Sequence, residues 1–224
     1  TVRVTLGHGG DSLCVYVKRY RSPGIIRRLI GRLKGDLPGT GPKEFMNIVA
    51  LLRAGIPVPV PIAAPVKQRG LFGRDSFLIT RALEDTVRLD FLLRGQSLPF
   101  AEKRALIKNL AQLVRALHLR GFNHRDLYLC HVLRDGAGNL WLVDLHRVQR
   151  RRTVPERWKV KDIAALHYSA PRPAVTNADR LFFLKTYCGG RLTMQDRRFA
   201  RKVLKKTEKM IQHNRTQQSR TCSA

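Results

Sequence analysis

Two aspartates in a fixed order constrain this chain more than any other feature. The segment His124-Arg125-Asp126-Leu127-Tyr128-Leu129-Cys130-His131 follows a long helical pattern and precedes a hairpin pattern. The second arm of that hairpin, NLWLVDLH, reads as a strand that reaches Asp144, 18 residues after Asp126. The helix is expected from about Pro99 to Arg120, the longest in the chain, because Leu106, Leu110, Leu113, Val114 and Leu117 share a face and Gly121 stops it. An HRD triplet by itself arises by chance in a chain with 43 Lys and Arg. The information lies in the order helix, HRD loop, hairpin, second aspartate.

The rest of the chain reads as strands first and helices later. TVRVTL and SLCVYVKRY alternate on either side of GHGGD, which reads as two strands joined by a turn. Residues 25–34 place Ile25, Ile26, Leu29, Ile30 and Leu33 on one helical stripe, with Arg27, Arg28, Arg32 and Lys34 around it. This basic amphipathic helix either packs on the N-terminal sheet or docks on an anionic bilayer. Pro42 opens a helix ending at Gly55, with Phe45, Val49 and Leu52 on one face. The proline-rich run IPVPVPIAAPV is an edge strand or connector, and SFLIT at 76–80 is a buried strand. From Trp158 onward the pattern is helical, ending in a basic helix at roughly 194–213 and a polar, frayed tail at 214–224. The fold class is α+β: a strand-rich part at 1–83 and a helical part at 84–213, joined near residues 80–86.

This layout resembles the two lobes of protein-kinase-like enzymes, which place HRDxxxxN after a long helix and before a strand ending in DFG. Asp126 matches the catalytic base, His131 stands where Asn is usual, and Asp144-Leu145-His146 stands where DFG is usual. Phosphoryl transfer from ATP needs an aligned acceptor hydroxyl and cations that neutralise the spreading charge. Asp126 is suited to orient that hydroxyl and take its proton, and Asp144 to ligate Mg2+ through hard oxygen. His131 either ligates metal through nitrogen or hydrogen-bonds Asp126 or Asp144. Upstream, Lys18 on a strand and Glu44 near a helix start match the pair that holds the α/β-phosphates. The plain alternatives are a solvated strand lysine and a carboxylate favoured at a helix N-terminus. Asp162 either braces the catalytic-loop backbone or caps a helix. His118 reads as a half-buried helix histidine, and His146 as a core or substrate residue. GHGG at 7–10 is rejected as the nucleotide loop, because Gly10 lies only eight residues before Lys18. The first strand and phosphate-covering glycine loop are expected upstream of Thr1. Only 13 residues separate Asp144 from Trp158, with no APE triplet, which favours a small-molecule or glycan acceptor over a peptide.

Four pieces are similar to the bacterial lipopolysaccharide core kinases, the heptose kinase and Kdo kinase relatives: FLIT (77–80), HRDLYLCHVL (124–133), LVDLHRVQ (142–149) and RTVPERWKVKDIAAL (152–166). Aminoglycoside-type kinases lack DLHR and the VPxRWxxKD run. The resemblance spans roughly 13–213 and implies ATP-dependent phosphorylation of an inner-core sugar hydroxyl on the cytoplasmic face of the inner membrane. Carried over by position, Asp126 is the active-site aspartate, Lys18, Glu44, Thr80, Ala82, His131 and Asp144 serve the nucleotide, and Asp144 and His131 serve the metal. Arg81 departs from the acidic residue that often follows FLIT.

The net charge of +27 favours anionic partners without saying which; the resemblance implies the lipopolysaccharide core glycolipid and an anionic membrane surface. No nucleic-acid-binding motif is present, so nucleic acid is not an expected partner. The four cysteines form no CxxC pair and read as free thiols in a reducing cytosol. No signal peptide is visible and no apolar run approaches the ~20 residues of a membrane span. The competing readings are another small-molecule or atypical protein kinase of the same fold, and a non-enzymatic basic module that binds polyanions or membrane.

Overall fold

In a computed structural model the structure describes residues 1–7, 12–21, 40–69, 73–95 and 98–222. The amphipathic helix expected at 25–34, and most of the turn at 7–11, lie outside those residues. The chain forms two compact units, Thr1–Glu84 with Leu142–Val148, and Asp85–Trp141 with Gln149–Ala224.

The first unit is an antiparallel sheet with one described helix. Strands β1 (Val2–Leu6) and β2 (Leu13–Tyr20) pair with Val4 opposite Val15, as their alternation requires. After helix α1 (Gly41–Arg53) come β3 (Pro61–Ala63), β4 (Val66–Arg69) and β5 (Gly73–Arg81). The order is β1-β2-β5-β3, with β4 also on β5, so β5 is the central strand. Register along β2–β5 sets Lys18 opposite Leu78. Thr40 caps α1 through the Lys43 N–H, and Pro42 sits in the first turn, where its missing N–H costs nothing. Gly41 is required by close approach: a Cβ there would lie 1.9 Å from the Phe77 carbonyl oxygen.

The buried face of α1 differs from the expected one. Glu44, Ile48 and Leu51 point inward, whereas Phe45, Val49 and Leu52 are only half-buried. A carboxylate does not belong on an apolar stripe read from sequence, so the expected face lies one residue out of phase with the buried one. The core of this unit joins Val15, Ile48, Leu51, Ile56, Val58 and Leu78 to Leu142, Leu145 and Val148 from the later segment. The Leu142 N–H donates to the Pro57 carbonyl at 2.9 Å.

The second unit is mostly helical. β6 (Val87–Arg88) and α2 (Leu89–Gly95) lead to α3 (Phe100–Leu119), whose buried residues include all five of the expected apolar stripe. β7 (Phe122–Asn123) pairs with β10 (Gln149–Arg150), while β6, β8 (Val132–Arg134) and β9 (Leu140–Leu142) form a small second sheet. Gly121 ends α3 at φ +84°, and a Cβ there would meet the Arg151 carbonyl oxygen at 2.1 Å. Helices α4 (Glu156–Ser169), α5 (Asn177–Cys188) and α6 (Met194–Cys222) complete the unit. The longest helix is α6, at 29 residues, rather than α3 at 20, because the polar stretch expected to fray continues as helix to Cys222. Phe183, Tyr187 and Phe199 stack in nearly parallel planes in this core.

His167 of α4 holds its Nδ1 at 3.0 Å from the Thr207 hydroxyl of α6. Burial, reinforced by the nearby charges of Arg180 and Arg172, lowers its pKa from 6.5 to about 4. Since the folded value lies below the unfolded one, the unfolded chain binds more protons between those values, and stability falls as pH drops through that window. Chemical denaturation from pH 7 to 4 is expected to show a loss on the order of 1–3 kcal/mol that His167→Gln removes; an unchanged slope in the variant contradicts the assignment.

Candidate active site

The first unit builds a charged cluster around Glu44. Lys18 sits on β2, and its Nζ lies 3.1 Å from Glu44 Oε2 and 2.5 Å from Asp144 Oδ1. The expected Lys18–Glu44 ion pair is therefore present. Glu44 is buried at 2% exposure and also accepts the Leu145 N–H at 2.7 Å and the Tyr20 hydroxyl. One carboxylate thus ties a strand, a helix and the segment after β9 together. Tyr20 and Asn47 were missed by sequence reading. The signals were spacing: Tyr20 shares the face of Lys18 two residues on, and Asn47 lies one helical turn after Glu44. Asn47 Nδ2 donates to the Leu145 carbonyl at 2.9 Å and the Val148 carbonyl at 3.3 Å, fixing the chain on both sides of His146.

Asp144 does not end a strand. β9 stops at Leu142, and Asp144 takes the left-handed conformation at φ 59° and ψ 58° before a single 3₁₀ turn, Leu145–Arg147. Aspartate tolerates this region better than most residues, and such strain is common at functional sites. Burial pushes its carboxyl up, but hydrogen bonds from His146, whose Nδ1 lies at 2.7 Å, and from Lys18 outweigh that and hold it well below the usual carboxylate range. His146 is thus a partner of Asp144 rather than a core residue. Thr80 and Ala82 stand at the end of β5: Thr80 pairs with Tyr16, and the Ala82 N–H donates to the Cys14 carbonyl at 2.9 Å.

The second unit holds the HRD loop on another buried carboxylate. Asp162 lies inside α4 and is fully buried, so it is no N-cap. Its Oδ2 accepts the His124 N–H at 2.7 Å and its Oδ1 the Arg125 N–H at 2.8 Å. These two bonds hold Arg125 at φ +73°, immediately before Asp126. His118 is 4% exposed, not half-buried; its Nε2 lies 3.2 Å from Asp162 and its Nδ1 2.8 Å from the Tyr187 hydroxyl. Burial pushes the Tyr187 hydroxyl up, so it stays a donor. With Nε2–H directed at Asp162, Nδ1 accepts from Tyr187, and both ring nitrogens are satisfied. His131 places Nδ1 2.7 Å from the Asp126 carbonyl oxygen and stacks on His124 with rings 13° from parallel.

Among the described residues no group of three or more His, Cys, Asp or Glu is gathered to hold a metal unaided. Of the two carboxylates in the Lys18 cluster, Asp144 is the more exposed, with 30% of its side chain accessible against 3% for Glu44, and its hard oxygen suits Mg2+, an ion that commonly takes one or two carboxylates with substrate phosphates and water.

A model of the lipopolysaccharide kinase (Kdo/WaaP) family matches residues 15–187. The chain belongs to this family. It is 34% identical over 196 residues to the lipopolysaccharide core heptose(I) kinase WaaP of Pseudomonas aeruginosa, which covers 83% of this chain and 73% of that protein. It is 32% identical over 124 residues to the 3-deoxy-D-manno-octulosonic acid kinase of Xylella fastidiosa, covering 55% and 47% of the two chains. A solved structure, WaaP in complex with acyl carrier protein, matches 92% of this chain and 84% of its own at TM-score 0.68 and 30% identity. Membership makes the chain a phosphotransferase of kinase fold, with the small antiparallel sheet and helical C-terminal region of that class.

Two variants test the clusters. Glu44→Ala leaves the Leu145 N–H and the Tyr20 hydroxyl without their acceptor and Lys18 with Asp144 in place of two carboxylates, and is expected to cost about 2–4 kcal/mol in urea denaturation. Asp162→Ala orphans the buried His124 N–H and the part-buried Arg125 N–H and is expected to cost at least about 3 kcal/mol and to expose the 124–131 loop to hydrogen exchange. Wild-type protection of that loop in the variant contradicts the bracing role.

Proposed function

We propose that this chain transfers the γ-phosphoryl group of ATP to a hydroxyl of an inner-core sugar of lipopolysaccharide, a heptose or 3-deoxy-D-manno-octulosonic acid. The observation that carries the reading is the joint hold of Lys18 on Glu44 and Asp144, in a chain whose family relatives are named for those two acceptors. Lys18 neutralises the α/β-phosphates and is kept extended by Glu44. Thr80 and Ala82 present the end of β5 to the nucleotide. Asp144, with His131 as a second candidate, holds Mg2+, which when bound offsets phosphate charge. Asp126 aligns the acceptor hydroxyl and takes its proton, from a loop held by Asp162.

The setting follows the same reading. No described helix is long and apolar enough to cross a membrane. The +27 charge supports peripheral work at the anionic inner face of the inner membrane, where each basic residue near the surface contributes about 1 kcal/mol. An acyl carrier protein is a further proposed partner, on the strength of the solved neighbour's complex.

Incubation of the protein with ATP and dephosphorylated inner-core oligosaccharide is expected to add one phosphate, read by mass spectrometry. Asp126→Ala is expected to lower kcat by at least about 100-fold with the fold intact by circular dichroism. Asp144→Asn is expected to raise the Mg2+ requirement sharply or remove turnover. A folded Asp126→Ala variant within a few-fold of the parent contradicts the assignment of the base. Phosphorylation confined to other acceptors contradicts the substrate.

A further inference from the structure

An open groove of about 900 Å³ lies in the second unit, lined by residues of α3, α5, the loop after α5 and the start of α6. Four cations line it, Arg104, Lys185, Arg191 and Arg197, beside Leu181 and Leu192, and no acid is among its described lining residues. The Arg104 guanidinium lies 3.6 Å from the Phe182 ring centroid, which positions the charge without neutralising it. Among the described residues none of the four is ion-paired with a carboxylate. The acids close by in sequence are engaged elsewhere: Asp179 with Lys103 at 2.6 Å and with the Thr176 cap, and Asp196 with Thr193.

Helix α6 carries the same character away from the groove. Seven of the thirteen residues from 197 to 209 are Lys or Arg, against one acid, Glu208. Phe199, Val203 and Thr207 bury one side of the helix, which packs on α4. Arg197, Arg201 and Lys205, four residues apart, form an exposed row on another side. Leu204 and Ile211, seven residues apart, are exposed along the flank of that row. Among the described Lys and Arg side chains of α6 only Lys202 is ion-paired, with Glu156 at 2.5 Å. The one Phe, Tyr or Trp of α6, Phe199, is buried. The exposed side therefore mixes cations with aliphatic groups and offers no ring for a nucleobase to stack on. That is the composition of a helix lying among lipid headgroups rather than one that takes single-stranded nucleic acid.

We propose that this face, the groove with the adjoining exposed side of α6, docks the protein on an anionic phospholipid bilayer. Headgroup phosphates enter the groove, where the arginine forks and the Lys185 ammonium match their oxygens. Leu204 and Ile211 meet the boundary between headgroups and acyl chains. The inference deepens the peripheral setting proposed above and rests on it. Docking concentrates the enzyme where a lipid-borne acceptor lies, and adds nothing to chemistry on a soluble one.

Co-sedimentation with vesicles of phosphatidylglycerol and phosphatidylethanolamine tests the surface, with phosphatidylcholine vesicles as the blank. The expected result is saturable binding to the anionic vesicles, weakened by salt, and none to the blank. Lys185→Gln/Arg191→Gln/Arg197→Gln, all at exposed positions, is expected to keep its circular dichroism and to bind at least about tenfold more weakly, since each cation near such a surface contributes roughly fivefold. The same variant is expected to show a roughly tenfold higher KM for core acceptor embedded in vesicles, with kcat and KM for soluble core oligosaccharide changed less than about twofold. No saturable binding to anionic vesicles, or equal binding by variant and parent, overturns the surface. Binding that survives in this variant and is lost in Arg27→Gln/Arg28→Gln/Arg32→Gln overturns it in favour of residues 25–34. A variant that loses affinity for RNA or acyl carrier protein but not for vesicles overturns the lipid occupant. Docking on vesicles without phosphorylation of any lipopolysaccharide sugar keeps the surface and overturns the proposed acceptor.

Discussion

A carboxylate placed in a protein interior is tolerated only when its oxygens are paired, and the first unit is organised around meeting that condition for Glu44. Lys18 and Tyr20 arrive from β2, and the Leu145 N–H from the chain after β9. Removing Lys18 would leave a buried charge uncompensated, and removing Glu44 would strand the Leu145 N–H and the Tyr20 hydroxyl. This explains why α1 is phased with an acid on its buried face, and why a glycine lies at its start: only without a Cβ can the helix approach β5 closely enough to place Glu44 there. The same bonds hold Asp144 in a left-handed conformation that its own backbone disfavours.

The second unit repeats the principle with Asp162. A fully buried acid inside a helix receives two consecutive backbone N–H groups of the HRD loop and an imidazole that is itself held by a buried tyrosine. The loop is thereby held in a strained shape by hydrogen bonds rather than by regular structure. In both units a buried carboxylate holds the backbone beside an aspartate of the proposed site, Asp144 in the first and Asp126 in the second. Such networks stand or fall as a whole, because a partly satisfied one is worse than an apolar core.

The sequence by itself determined the fold class and the family. Alternation in 1–20 and the apolar stripe of α3 are local periodicities, legible because burial acts on residues close in sequence. Asp126 and Asp144 were legible as a pair because their spacing across a helix, loop and hairpin is rarely met by chance, and the pairing of Lys18 with Glu44 followed from that pattern. Tertiary structure alone decided which face of α1 is buried, because an acid on an apolar stripe is favourable only once Lys18, Tyr20 and Leu145 surround it. It alone placed Asp162 as a brace rather than a cap, and gave Asn47, His118 and Tyr187 their partners across 101, 44 and 69 residues. It also brought Arg125 of the HRD loop onto Trp158, beside Arg151, Arg157 and Lys161 of the basic stretch around that tryptophan. Local propensity acts over a few residues, whereas a buried polar group is satisfied by whatever the completed fold brings within hydrogen-bonding distance, and no local pattern encodes that distance.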